Sequence, residues 1–134
     1  MESSVELQWL TVVVAMTGVM WCYVFVLFSQ LGVAGALRDP EHDTPFDAPW
    51  ARRARRAHHN ALENLVIFAV LVLVLGMLEL STEATRTAAG VYCLTRLGHF
   101  VVYVAGVPWL RTPLFLVGFG AQVVLAFTVF EALF

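Results

Sequence analysis

From Leu7 to Leu37 the chain contains no charged residue. About 20 apolar residues are enough to cross the hydrocarbon of a bilayer, so this stretch alone outruns a full span. A sequence like this cannot fold as a small soluble domain with one wet face. Of the 134 residues, 60% are hydrophobic and 13% charged, and ten are Phe; a soluble domain carries about twice that charged fraction. The expectation is an all-α integral membrane protein: one four-helix bundle that leaves no room for a separate soluble domain.

The spans follow from where the apolar runs stop. The first helix is expected from about Val5 to Gln30 or somewhat beyond, within 5–36, with Gly32 and Gly35 loosening its exit and Trp9 anchoring it at the interface. MESSVELQW lacks the basic start of a secretory signal, so this helix reads as retained. Arg38 to Trp50 holds three prolines and four acids and reads as a loop. The second helix, about 50–79, reaches span length only if its polar start, Arg52 to Asn64, is helical as well. The third is expected over 83–107, ended by Pro108. The fourth is expected over 113–131, with Thr112 as N-cap and Pro113 in the first turn.

Five arginines lie before or at the start of the second helix and Arg111 lies in the third connection, whereas the other connection and both ends lean acidic. The positive-inside rule then puts the arginine-bearing connections in the cytoplasm and both termini across the membrane. Net charge is −2, which gives no basic field for nucleic acid. Cys22 and Cys93 sit in apolar runs and read as small buried hydrophobes, with no disulfide framework.

The chemistry concentrates in RRARRAHHNALEN, residues 52–64. On a helix, Arg56, Asn60 and Glu63 fall within about 60° of one another, with His59 on the flank. Tyr92, Arg96, His99 and Tyr103 recur at i, i+4, i+7 and i+11, a second polar stripe on the third helix. An arginine that deep costs several kcal/mol unless it is paired or wet, so the stripe should face the bundle interior. With Arg111 and Thr112 at the same mouth, these residues converge at one level of the membrane. Arg96 and Glu63 could pair to hold the bundle together. His58 and His59 have no third ligand nearby, so no metal site is expected. The first helix has no embedded carboxylate of the kind small multidrug exporters use, which argues against a transporter.

Residues Arg56 to Asn64, RAHHNALEN, resemble the second-helix signature of the MAPEG family, membrane-associated proteins in eicosanoid and glutathione metabolism. The Arg96-x-x-His99-x-x-x-Tyr103 stripe and the Arg111-Thr112 step resemble the third helix and following loop of its prostaglandin E synthase and glutathione transferase members. The resemblance covers nearly the whole chain and is closest to bacterial members, which implies a bacterial inner membrane. It implies a homotrimer with sites between subunits, where glutathione or another low-molecular-weight thiol acts on a small hydrophobic substrate in the bilayer. By that resemblance Arg56, Asn60 and Glu63 hold the carboxylates and amino group, with His58 in support. Arg96 and His99 contribute from the third helix beside Thr112, while Arg111 and Tyr103 act at the sulfur. A non-catalytic lipid- or partner-binding trimer of the same fold is the alternative.

Overall fold

The computed structural model describes residues 4–38 and 45–134. Every regular element among them is helical, and four helical stretches are long and apolar enough to cross a membrane: Val5–Leu37, Pro49–Met77, Glu83–Ala105 and Pro108–Leu133. The protein is an integral membrane helix bundle. Large apolar side chains cover its outside, among them Phe25 at 74% exposure and Met77 at 83%, a surface that water would not tolerate but lipid does.

The first span is built from three pieces: α1 (Val5–Val19), a 3₁₀ turn at Met20–Tyr23, and α2 (Val24–Leu37). Ser4 caps it by accepting from the Leu7 N–H at 3.3 Å. The 3₁₀ turn was not foreseen. It stacks positions three apart on one side, and both Met20 and Tyr23 are buried there. Gly32 breaks α2 with φ of +69°, a conformation that glycine adopts without strain. The Trp9 indole lies 3.3 Å from where a side chain at Gly90 would stand, so it packs the first span closely against the third.

The loop expected over 38–50 lies partly outside the described residues. What is described is tied down. Gln30 donates to the Pro45 carbonyl at 3.0 Å and accepts from the Asp47 N–H at 3.1 Å. Phe46 is buried edge-on against Tyr23, with ring centroids 5.8 Å apart. Then α3 (Pro49–Met77) begins with proline in its first turn and no side-chain cap. Ala51, Ala54, Ala57 and Ala61 are buried along it, small enough to admit close neighbours.

The start of α4 (Glu83–Ala105) is fixed by a capping box between Thr82 and Thr85. A carboxylate the sequence reading passed over reinforces that end. Glu6 of α1, 1% exposed, accepts hydrogen bonds from the Ser81 and Thr85 hydroxyls and so clasps α1 to the head of α4. The end of α4 corrects the expectation. Gly106, at φ +79°, stops the helix, and the Val107 N–H reaches back to the Val102 carbonyl at 2.9 Å.

Pro108 therefore opens the next helix instead of ending the last one. In α5 (Pro108–Leu133) Val107 is the N-cap, and both Thr112 and Pro113 lie inside the helix. Thr112 is not a cap. Pro113 forgoes only the bond that would reach back to the exposed Trp109 carbonyl, a small loss so near the helix start. The central core joins α1, α3, α4 and α5 through Val13, Phe68, Val72, Tyr92 and Leu125, with Phe68 and Tyr92 stacked at 3.9 Å between centroids. Cys93 is buried there as a free thiol, whereas Cys22 is exposed, contrary to the expectation of two buried cysteines.

Candidate functional site

The first half of α3, the second half of α4 and the start of α5 meet at the arginine-rich end of the bundle. Antiparallel succession does this: α3 enters there, α4 leaves there, and the short Gly106 turn returns α5 at once. Two cavities adjoin at that level. The larger, about 600 Å³, is lined by Tyr23, Arg56, His58, Asn60, Glu63 and Tyr103, among others. The smaller, about 210 Å³, is lined by Arg56, Asn60, His99, Tyr103, Arg111, Thr112 and Phe115. Arg56, Asn60 and Tyr103 line both.

Each expected site residue can now be placed. Arg56 and Glu63 are exposed on the single chain, facing the large cavity from one side of α3. His58 is 7% exposed, and its Nδ1 shares a hydrogen bond of 3.0 Å with the Tyr23 hydroxyl, so the first span fixes the imidazole in the cavity wall. Asn60 is half-buried, and its buried Oδ1 has no hydrogen-bond partner among the described residues. Such an acceptor calls for a donor from outside the chain. Tyr103 is flanked on both sides: the His99 ring meets it edge-on at 5.6 Å, and the Arg111 guanidinium lies 4.8 Å from its centroid. That cation–π contact holds Arg111 at the small cavity although its side chain is exposed.

Arg96 is placed differently. It is 3% exposed, faces the interior as its stripe required, and lines neither cavity. The suggested pairing with Glu63 is not found. Arg96 Nη2 donates to Asn64 Oδ1 at 3.0 Å, and its guanidinium lies 5.0 Å from the Tyr92 ring and 5.1 Å from the Phe115 ring. Two aromatic faces and an amide oxygen thus stand in for a counter-ion.

Asn64 and Gln122 were missed as site-supporting residues. The Asn64 side chain donates to the Asn60 carbonyl at 2.8 Å, and Gln122 Nε2 donates to the Asn64 carbonyl, also at 2.8 Å. The network runs from Gln122 on α5 and Arg96 on α4 through Asn64 to the Asn60 turn of α3. The signals were present: Asn64 follows Asn60 by one turn, and Gln122 is the strongly polar residue of the uncharged run from Pro113 to Phe130. Tyr23 offered no signal beyond a hydroxyl in an apolar run.

The sequence model of the MAPEG family matches residues 7–130, nearly the whole chain, and the chain belongs to that family. No curated protein and no solved structure matches it.

Proposed function

We propose that this MAPEG chain is a glutathione-dependent transferase or peroxidase, acting on hydrophobic electrophiles dissolved in the bilayer. The observation that carries the reading is the pairing of opposite chemistries around adjoining cavities. Arg56 and Glu63 share the larger one with the unpartnered Asn60 Oδ1, and Arg111 stands at the smaller one. A tripeptide thiol presents two carboxylates, one ammonium and one sulfur. Arginine is suited to carboxylates because its fork can pair bidentately, and a carboxylate suits the amine. Cavities of several hundred Å³ are the usual size for small-molecule sites.

In this reading Arg56 takes a carboxylate, Glu63 takes the ammonium, and Asn60 Oδ1 accepts an N–H. His58, braced by Tyr23, shapes the wall. Arg111, seated on Tyr103, stabilises negative charge on sulfur; the thiolate supplies the nucleophile. Arg96 and His99 act from behind, Arg96 by holding Asn64 and His99 by bearing on Tyr103. Thr112 offers a hydroxyl at the cavity edge.

Exposed Arg56 and Glu63 on a membrane helix are costly against lipid. A second copy of the chain covering that face relieves the cost, which supports a homotrimer with inter-subunit sites. The arginine content of this end supports its facing the cytosol. The reading predicts consumption of glutathione by the purified protein when a hydrophobic aryl halide is added, and a trimer in native mass spectrometry. A stable trimer with no thiol consumption would leave the alternative, a non-catalytic lipid- or partner-binding trimer of the same fold, and a stable monomer would contradict both.

A further inference from the structure

A third cavity, about 230 Å³, opens beside the other two and has a different character. It is lined by Arg53, Arg56, Tyr103, Gly106, Pro108 and Arg111, and no acidic side chain lines it. Arg53 lines neither of the cavities assigned to the thiol. Its guanidinium is held in place: Nε donates to the Val104 carbonyl at 2.7 Å, and Gly106 lies flat beneath it, where an added side chain would stand 3.4 Å from Cζ. The Nη groups make no hydrogen bond within the described chain.

Three guanidiniums around so small a space, with no carboxylate among them, repel one another and call for an anion with several acceptor oxygens. Phosphate is the group whose geometry arginine forks match best. The surroundings point to its source. Trp109, 86% exposed, and Leu110, 54% exposed, stand in the chain between Pro108 and Arg111, which line the cavity. Tryptophan favours the headgroup level of a bilayer, where lipid phosphates lie.

We propose that Arg53, Arg56 and Arg111 bind the phosphate of an anionic lipid headgroup, with Trp109 seated among neighbouring lipids. The site discriminates by charge. A zwitterionic headgroup brings its own cation into a ring of arginines, whereas phosphatidic acid brings none. The site shares Arg56 and Arg111 with the thiol reading and adds Arg53, which lines neither thiol cavity, so the lipid preference is read at Arg53 with no thiol present.

The test is native mass spectrometry of the purified full chain, titrated in separate arms with phosphatidic acid, phosphatidylcholine and inorganic phosphate. Phosphatidic acid should be retained about tenfold more tightly than phosphatidylcholine, and inorganic phosphate should not displace it. Arg53→Gln should remove that preference, the loss of one charge-assisted contact being worth roughly tenfold or more. Because Arg53 also caps α4, a second variant guards against misfolding. Val107→Asp places a carboxylate at the cavity while leaving the Arg53–Val104 bond intact, at an N-cap position where aspartate is favoured. It should abolish the preference too. Arg86→Gln, in the first turns of α4 at the opposite end, should leave it unchanged. Equal retention of both lipids, an unaffected Val107→Asp, a matching loss in Arg86→Gln, or full displacement by inorganic phosphate would each overturn the proposal.

Discussion

Gly118→Ala is the sharpest perturbation of the buried arginine. A Cβ on Gly118 would stand 2.9 Å from Thr95 Oγ1, 3.2 Å from Arg96 Nη2 and 3.3 Å from Arg96 Nε. Real side chains do not sit at 2.9 Å, and the guanidinium has little freedom to give. It is 3% exposed, bonded to Asn64, and flanked by the Tyr92 and Phe115 rings. Overpacking of this kind costs about 1–3 kcal/mol. Losing the bond from Arg96 to Asn64 would add about 1.5–3 kcal/mol, because a charged donor is left unpartnered. Replacing glycine by alanine inside a helix returns about 1 kcal/mol. The balance is a destabilisation of about 1.5–5 kcal/mol.

Gly120, one step along α5, supplies the control. Nothing lies within 4 Å of its would-be Cβ, so Gly120→Ala should be neutral or stabilising. Thermal unfolding of both variants in the same detergent should separate them clearly, with Gly118→Ala melting lower. Thr95→Ala, which removes the 2.9 Å clash, should recover part of the loss when combined with Gly118→Ala. Equal melting of Gly118→Ala and Gly120→Ala would refute the idea that Gly118 makes room for Arg96.

Glu6→Ala should destabilise the bundle by about 2–4 kcal/mol, since it strands the Ser81 and Thr85 hydroxyls at the far end from the site. Thermal melting checks this, and glutathione binding by the folded fraction should be unchanged. Arg111→Ala should raise the pKa of the bound glutathione thiol by about one to three units, the influence of a cation within about 4–6 Å. Thiolate ultraviolet absorbance across pH reads this directly, and an unshifted titration would leave the Tyr103 hydroxyl as the activating group.

The parts of this protein that were legible in the sequence are those set by periodicity. Spans follow from apolar length, and the polar stripes on α3 and α4 follow from turn geometry, because in lipid a charged residue has few places to go. Partner choice was not legible. Spacing turned Arg96 inward but could not tell Glu63 from Asn64, adjacent residues of which one is exposed at the cavity and the other buried. The α4–α5 turn was misread because Pro108 and Pro113 are both plausible first-turn residues. Gly106, two residues before Pro108, was the deciding signal. Glu6 lies in the first turn of α1 like many acids, and nothing local reveals that hydroxyls beyond α3 fold onto it. The 3₁₀ turn at Met20–Tyr23 has no marker in a run of uniformly apolar residues.

The central claim is that the α3 stripe recognises a tripeptide thiol. Its most direct test is calorimetric titration of the purified protein with glutathione, beside the Glu63→Gln variant. Glu63 is exposed at the large cavity and glutamine matches its shape, so the variant should fold as the parent does. The account predicts saturable binding to the parent and a loss of about 1.5–3 kcal/mol in the variant, from the missing charge-assisted bond to the ammonium. Equal affinity in the two proteins, or no binding to either, would contradict it.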